Sequence, residues 1–408
     1  MKKLLIHSNN TSFSNTELFK LSEQFVFDVD FDKDVDFYIN DNLTEGNLKQ
    51  KLENCDIVFI KVSLSKNYLE YLGLRLAYHI RLTKALGEKA YIPIVIIAEE
   101  SYQYLGLTYP EPSILFTKGI YLIKESLDNY DRIQKWFDDR IIKPLDDFSS
   151  FLSSITIKPP ANYLSHHSIA NEWALARYSS MLKEDNDNNL YVSLQKKILD
   201  LDYLKTLHFK YLEAKANRQR FNINKHTIIP VIKGIEDKII GIIDDEIDKG
   251  WLELYSYIFV KSKAKGVFFN NFKKADTKDE LIDKLKIWVL EKINSSDPIN
   301  VFLVDLRLHD DDYTENVFEN LSGIELIKFI KYHNRGIQIV VSTASNKVWS
   351  YQKCLMAGAK YFSIKESPET YSARSETIDS FHHFSSQVSL AVKDSFLAEI
   401  FREIDNLK

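Results

Sequence analysis

The stretch Val301-Phe302-Leu303-Val304-Asp305 decides the fold of the second half of this 408-residue chain. Consecutive apolar residues that end in a carboxylate are typical of a buried parallel strand. Such a strand delivers its acid to the carboxyl edge of a sheet, where open α/β sheets place their functional sites. Asp305 is therefore the first candidate functional residue.

Three further apolar runs also end in side chains that carry chemistry. One run precedes Asp305 in the chain and two follow it. Because the carboxyl ends of parallel strands meet at one edge of a sheet, we expect all of these side chains to lie close together. The runs are Ile239–Ile243 before the acid pair Asp244 and Asp245, 337–341 before Ser342 and Thr343, and Tyr361–Ile364 before Lys365.

This order of acid pair, single aspartate, hydroxyl and lysine resembles the receiver domain of two-component response regulators. The resemblance implies an α/β fold with a doubly wound, five-stranded parallel sheet over residues 238–408. It implies that a partner sensor histidine kinase phosphorylates Asp305. By the same resemblance, the Thr343 hydroxyl and the Lys365 ammonium would bind oxygens of the phosphoryl group.

A phosphoryl group on a carboxylate gathers several negative charges, which a hard divalent cation with oxygen ligands offsets. The resemblance therefore implies Mg²⁺ as a cofactor. Its ligands would be the carboxylates of Asp244, Asp245 and Asp305 and the backbone carbonyl of Arg307. Beside this site, residues 309–316 are an acidic insertion. The insertion is interpreted as a solvated loop, as a restriction on access to the site or as a contact for a partner.

Composition limits the classes of protein to which the chain can belong. Its length and a hydrophobic content of 45% suggest two or three folded domains. A net charge of −5 gives no overall basic field, so nucleic acid is not an expected partner. Cys55 and Cys354 lack metal-ligand spacing, and no apolar run reaches the length of a membrane span. We therefore expect a cytoplasmic protein without membrane association.

Residues 1–150 alternate short apolar runs with helical patterns, which predicts another doubly wound sheet. Strands are predicted at residues 4–6, 35–39, 57–60, 92–97 and 120–123.

This first segment lacks the carboxylates of a receiver. Lys61 ends the third strand, where a receiver has its acceptor aspartate, and the first strand ends at His7 without an acid pair. Tyr-Leu-Ile-Lys-Glu-Ser at 121–126 nevertheless resembles Phe-Ser-Ile-Lys-Glu-Ser at 362–367, which aligns Lys124 with Lys365. The segment is interpreted as a pseudo-receiver that binds a partner or lends an interface. The alternative is an unrelated α/β domain in which Lys124 is a surface lysine.

The apolar pattern of residues 151–225 predicts a helical hairpin. One helical pattern covers 161–182, and a second is marked by apolar residues between Leu194 and Tyr211. A hairpin of this kind leaves part of its apolar stripe uncovered. That favours a homodimer in which two hairpins form a four-helix bundle.

His167 and Asn171 lie four residues apart in the first of these helices and share one helix face. The spacing resembles the phosphorylated helix of histidine kinases and of histidine phosphotransfer proteins. Ser168 replaces the acid of that motif, which argues against autophosphorylation from ATP. His167 is therefore interpreted either as a group that exchanges a phosphoryl group with an aspartate or as a polar surface or dimer contact.

Together these patterns predict two receiver-like, doubly wound domains with five-stranded parallel sheets, joined by an α-helical hairpin. The expected function is that of an atypical response regulator in a phosphorelay. It would act on a downstream effector by protein–protein interaction, because no DNA-binding output follows the receiver pattern. One alternative is a His–Asp phosphotransfer or phosphatase protein that uses His167. Another is a phosphate sink or scaffold that buffers a kinase.

Overall fold

The computed structural model describes residues 2–8, 17–29, 34–65, 71–98, 104–105, 112–124, 143–159, 167–219, 228–272, 277–315, 317–344, 348–365 and 377–407. The chain folds into two compact units. The first consists of Met1–Pro160 and Asp202–Asn222, and the second of Ala161–Leu201 and Ile223–Lys408. Among the described residues, no helix is both long and apolar enough to cross a membrane.

A five-stranded parallel sheet forms the centre of the first unit. Its strands are β1 Lys3–His7, β2 Glu23–Val26, β3 Ile57–Lys61, β4 Ile94–Ala98 and β5 Ile120–Lys124. They pair in the order β2-β1-β3-β4-β5, which is a doubly wound arrangement. Strands β3 and β4 are buried along their whole length, as central strands covered on both faces must be.

The predicted strand at residues 35–39 is wrong, because these residues begin a helix. The Asp34 side chain accepts a hydrogen bond from the Asp36 backbone amide and so caps the helix N-terminus. The second strand of the sheet is instead β2 at its edge. Among the described residues before 160, the α-helices of this unit are α1 Glu17–Leu21, α2 Val35–Thr44, α3 Asn47–Glu53, α4 Leu72–Leu82 and α5 Phe148–Ser154.

The predicted hairpin has a shorter second helix than the sequence pattern indicated. The α-helices described between residues 167 and 219 are α6 His167–Met181, α7 Asn189–Leu199 and α8 Leu207–Gln219. Helices α6 and α7 contact each other across a turn, as in a hairpin. Thr206 Oγ1 then accepts a hydrogen bond from the Phe209 amide at 3.3 Å, which caps α8 as a separate helix. The structure thus divides the segment 151–225: α6 and α7 belong to the second unit, and α5 and α8 to the first.

Another five-stranded parallel sheet forms the centre of the second unit. Its strands are β6 Ile239–Ile243, β7 Lys265–Phe268, β8 Val301–Val304, β9 Gln338–Thr343 and β10 Tyr361–Ile364. They pair in the order β10-β9-β8-β6-β7, which is the same winding as in the first unit. The apolar runs that the sequence predicted as strands therefore share one sheet, and their carboxyl ends lie along one edge.

Helices cross over between the successive strands of the second unit, as parallel pairing requires. Besides α6 and α7, the α-helices described in this unit are α9 Trp251–Lys261, α10 Lys278–Ile293, α11 Ser322–His333, α12 Val348–Ala357, α13 Thr377–Lys393 and α14 Phe396–Asn406, of which α13 and α14 both follow the last strand. A core cluster that includes Leu285, Ile327 and Cys354 packs α10, α11 and α12 against the sheet. This packing fixes the strand ends that carry the candidate functional residues.

Helix α6 packs within the second unit, against α9 and α13. The hydroxyl groups of Tyr178 and Ser380 lie 2.8 Å apart, and the Tyr178 ring meets Trp251 edge-on at 6.2 Å. Trp173 and Leu175 are completely buried. Part of the apolar stripe that was expected to need a second copy is therefore covered within the chain. Homodimer formation through the hairpin stays a prediction.

Candidate functional site

Three carboxylates meet at the carboxyl edge of the second sheet. Asp244 and Asp245 follow β6, and Asp305 follows β8, which pairs with β6. The Asp305 amide donates to the Ile243 carbonyl at 2.9 Å, so the strand pairing continues up to the acids. One carboxylate oxygen from each aspartate lies within 4.8 Å of the other two. The structure therefore brings together the three acids that the sequence assigned to one site.

Lys365 enters the same cluster from the end of β10. Its ammonium donates to Asp244 Oδ2 at 2.8 Å and to Asp305 Oδ2 at 2.9 Å. The ammonium also lies 4.6 Å from the centroid of the Trp251 ring, a cation–π contact. Because only 2% of Lys365 is exposed, solvent does little to screen these ion pairs.

The cluster holds more negative than positive charge. Burial raises the pKa of Asp244 to about 6; Lys365 opposes the rise, and the Asp305 charge adds to it. Burial, with the charges of Asp305 and Asp244, also raises the pKa of Asp245 well above its usual range. Burial lowers the pKa of Lys365, but the two carboxylates outweigh it and hold that pKa well above its usual range. A further cation would relieve the excess negative charge.

The donor atoms suit a hard divalent cation. Carboxylate oxygens are the ligands that Mg²⁺ prefers, and Mg²⁺ usually keeps several waters or phosphate oxygens as well. Asp245 is only partly buried, so water has access to this side of the cluster. Arg307 lies in the loop after Asp305, where its Nε donates to the Asp312 carbonyl at 3.2 Å. Ligation by the carbonyl of Arg307 itself stays a prediction.

Thr343 is the last residue of β9 and pairs with Ile364 of β10. Its carbonyl accepts a hydrogen bond from the Lys365 amide at 2.8 Å, and its side chain is buried. Thr343 and Lys365 therefore lie beside each other at the carboxyl ends of the neighbouring strands β9 and β10. A bond between the Thr343 hydroxyl and a phosphoryl oxygen stays a prediction.

The acidic insertion is anchored to the fold by Asp312, which is completely buried. Asp312 Oδ2 accepts a hydrogen bond from the Leu308 amide at 3.0 Å, and Oδ1 accepts one from the Ser322 amide at 3.1 Å. Lys278 forms an ion pair with Asp312 at 2.7 Å. These contacts attach the described part of the loop to the fold beside the site.

Two contacts of the site were not predicted from the sequence. Tyr313, from the acidic insertion, donates from its hydroxyl to Asp245 Oδ2 at 3.2 Å. Asn171, from α6, accepts from the Lys365 ammonium at 2.8 Å. The only signal for Asn171 was its spacing from His167. The His167 backbone begins α6, but its side chain lies outside the described part of the structure.

The first unit has Lys61 where the second has Asp305. In each unit, the next α-helix after this strand has a glycine as its second residue, and this glycine packs against the end of the strand. A Cβ on Gly73 would lie 2.1 Å from the Lys61 carbonyl oxygen, and a Cβ on Gly323 would lie 2.2 Å from that of Asp305. His7, which ends β1 beside β3, is likewise buried. A basic residue therefore takes the position that Asp305 has in the second unit.

The strand register also corrects the alignment of Lys124 with Lys365. If Lys61 and Asp305 correspond, then Ala98 corresponds to Thr343, because β3 pairs with β4 as β8 pairs with β9. Lys124 lies opposite Ala98, whereas Ile364 lies opposite Thr343. Lys124 thus takes the position before that of Lys365, and the resemblance between 121–126 and 362–367 is offset by one residue in the structure.

Comparison with known families identifies the N-terminal segment. Residues 7–123 match the family model of the inactive receiver domain. The first unit therefore contains a receiver-like domain, which agrees with the absence of acids at Lys61 and His7. The N-terminal segment therefore resembles the receiver domains of response regulators. A comparison with curated proteins finds no match.

Solved structures of low similarity include receiver domains. A CheY-like response regulator receiver domain protein from Methanospirillum hungatei JF-1 is 18% identical, with a TM-score of 0.22, over 36% of this chain and 97% of that one. The BeF3-activated DrrB receiver domain is 19% identical, with a TM-score of 0.21, over 36% of this chain and 97% of that one. A putative two-component system response regulator/GGDEF domain protein is 12% identical, with a TM-score of 0.21, over 94% of this chain and 100% of that one. At these values the three structures say nothing about what this chain binds or does.

Proposed function

We propose that the second unit is an active receiver in which a partner sensor histidine kinase phosphorylates Asp305. The observation that carries the proposal is the contact between three buried or half-buried carboxylates and the Lys365 ammonium at one sheet edge. Asp244, Asp245 and Asp305 would hold Mg²⁺, which offsets the charge of the incoming phosphoryl group. The first unit, with Lys61 in place of an acceptor, would serve as a binding domain.

The residues of the site have distinct roles in this reaction. A carboxylate oxygen of Asp305 attacks phosphorus and forms the new O–P bond, while the N–P bond to the kinase histidine breaks. Lys365 keeps its proton and moves one of its N–H donors to a phosphoryl oxygen. Thr343 donates its hydroxyl to another phosphoryl oxygen. These movements change the surface at the ends of β9 and β10, and with it the affinity for a downstream effector or a second copy of the chain.

Intact mass after incubation with Mg²⁺ and acetyl phosphate tests the proposal. We expect one phosphoryl adduct on the natural chain and on Asp310→Ala, since Asp310 is an exposed acid of the neighbouring loop. We expect no adduct on Asp305→Ala. An adduct that persists in Asp305→Ala, or a chain that stays unlabelled while an unrelated active receiver is labelled, would refute phosphorylation at Asp305.

A relay that also uses His167 is a second candidate. It is favoured by Asn171, which lies one helical turn after His167 on α6 and contacts Lys365 of the acid site. In this reading, His167 exchanges a phosphoryl group with an aspartate or assists hydrolysis of the phosphorylated aspartate of a partner. Alanine at His167 separates the candidates. Loss of transfer between proteins, with labelling at Asp305 unchanged, supports the relay, and unchanged transfer rejects it.

A further inference from the structure

Asn171 brings a side chain into the acid cluster from outside the sheet. Its Oδ1 accepts a hydrogen bond from Lys365 Nζ at 2.8 Å. Only 4% of Asn171 and 2% of Lys365 are exposed, so this contact is shielded from water. Asn171 lies on α6, which precedes the first strand of the second unit. The helix therefore contacts the reacting centre without belonging to the sheet and its crossover helices.

Each of the three N–H groups of the Lys365 ammonium has an acceptor among the described residues. An ammonium carries three N–H groups and no acceptor. Its three partners, Asn171, Asp244 and Asp305, lie at 2.8, 2.8 and 2.9 Å. A phosphoryl oxygen can therefore bond Lys365 only when one of these hydrogen bonds breaks. The bond to Asn171 breaks most easily, because the amide is neutral whereas both carboxylate bonds join opposite charges.

We propose that Asn171 makes α6 an intramolecular cap on the receiver site, which slows phosphorylation of Asp305 and is released by it. This inference rests on the proposed function of Asp305. When the phosphoryl group forms its bond to Asp305, the Lys365 N–H that pointed to Asn171 turns to a phosphoryl oxygen. The start of α6 then loses the hydrogen bond between Asn171 and Lys365, whereas Tyr178 near the end of the helix keeps its contacts with Trp251 and Ser380.

The packing of α6 favours a local release. Asn171 lies near the start of the helix, and the fully buried Trp173 and Leu175 follow it. These apolar side chains hold the middle of the helix when the hydrogen bond to Lys365 is lost. Phosphorylation is thus expected to loosen the start of α6 and to expose a surface that a partner can recognise.

The rate of labelling by acetyl phosphate with Mg²⁺ is the first test, with Ser180→Ala as the matched control. Ser180 is exposed on the same helix, and its hydroxyl donates a hydrogen bond to the Arg177 carbonyl at 2.7 Å. We expect Asn171→Ala to be labelled roughly fivefold faster, the effect of one net hydrogen bond. Asn171→Asp should be labelled more slowly than the natural chain, because a carboxylate holds Lys365 more firmly. A merely structural Asn171 would slow labelling in both variants, and that result or equal rates would overturn the cap.

Hydrogen exchange of the α6 amides is the second test and needs neither Mg²⁺ nor a phosphoryl donor. We expect faster exchange at the start of α6 in Asn171→Ala than in Ser180→Ala, with β6 and β8 unchanged as evidence of an intact fold. Equal exchange would overturn the cap even if Asp305 is phosphorylated. A third outcome is that exchange rises but no variant is labelled under conditions in which an unrelated active receiver is labelled. In that case the proposed function of Asp305 fails, and the inference fails with it.

Discussion

The Tyr313 hydroxyl donates a hydrogen bond to Asp245 Oδ2 at 3.2 Å, so the acidic insertion reaches a predicted metal ligand. Burial and the charges of Asp245, Glu246 and Asp305 raise the pKa of Tyr313 far above its usual range. The hydroxyl therefore stays protonated and keeps its hydrogen atom for the bond to Asp245. A hydrogen bond of this kind fixes the orientation of a metal ligand.

Replacement of Tyr313 by phenylalanine removes that donor and keeps the ring. We expect Tyr313→Phe to weaken Mg²⁺ binding about tenfold, the usual cost of losing a group that orients a ligand. Calorimetric titration with Mg²⁺ measures the change. Tyr332→Phe is the control, because Tyr332 is 84% exposed. An unchanged affinity in Tyr313→Phe would show that Asp245 is oriented without the tyrosine.

The convergence of the acids and the lysine could be predicted from the sequence because strand ends are local features. Each of Asp244, Asp305 and Lys365 directly follows an apolar run, and parallel pairing then brings the three together. Tyr313 and Asn171 could not be found in this way. Their contacts depend on how the insertion folds back through Asp312 and on where α6 packs, and neither is encoded in a local pattern.

The errors in the predicted fold also have physical causes. Residues 35–39 are apolar at alternate positions, which favours a strand, but the cap at Asp34 begins a helix there. The apolar spacing from Leu194 to Tyr211 predicts one helix, whereas Thr206 caps a new one. A cap hydrogen bond worth about 1 kcal/mol can thus begin a helix at a position where periodicity alone predicts a strand or a continuous helix.

His79 is completely buried in the first unit, between an acid and a base. Its Nε2 lies 2.8 Å from Asp36 Oδ1, and its Nδ1 lies 3.2 Å from the Lys210 ammonium. Because Lys210 can only donate, Nδ1 accepts and Nε2–H donates to Asp36. Burial lowers the pKa of His79 to about 4; the Lys210 charge adds to this, and Asp36 opposes it. The imidazole is therefore neutral at neutral pH.

The first unit should lose stability as the pH falls from about 6.5 towards 4. An unfolded histidine has a pKa of about 6.5, so the unfolded chain takes up the proton first. The stabilisation from a neutral His79 is complete above that pH and is lost as the pH approaches the folded pKa of about 4. Linkage limits the loss to about 3 kcal/mol. Asp36 titrates below this window, and Lys210, with a pKa lowered by burial to about 8, titrates above it.

Native-state hydrogen exchange of amides in α4 and α8 at pH 7 and pH 5 measures this loss in the first unit alone. His79→Gln should be less stable at pH 7 but should lose less stability between the two pH values. His382→Gln should behave like the natural chain, because His382 is exposed. If His79→Gln keeps the full pH dependence, a group other than His79 is responsible.

Gly73 and Gly323 allow the two sheet edges to be perturbed in the same way. A Cβ at either position would lie closer to a backbone oxygen than any real contact allows, 2.1 Å from that of Lys61 or 2.2 Å from that of Asp305. The helix or the strand end must then shift. Each alanine variant should be destabilised by about 1 to 3 kcal/mol, the usual cost of overpacking.

The two variants should differ at the acid site. Gly323→Ala displaces the backbone of Asp305 and is expected to slow labelling by acetyl phosphate at least tenfold, because small displacements of reacting groups have large effects on rate. Gly73→Ala moves Lys61, which holds no phosphoryl group, and should be labelled at the rate of the natural chain. Urea unfolding checks that both variants are folded under the labelling conditions. Equal slowing in both would mean that lost stability, and not the position of Asp305, limits the reaction.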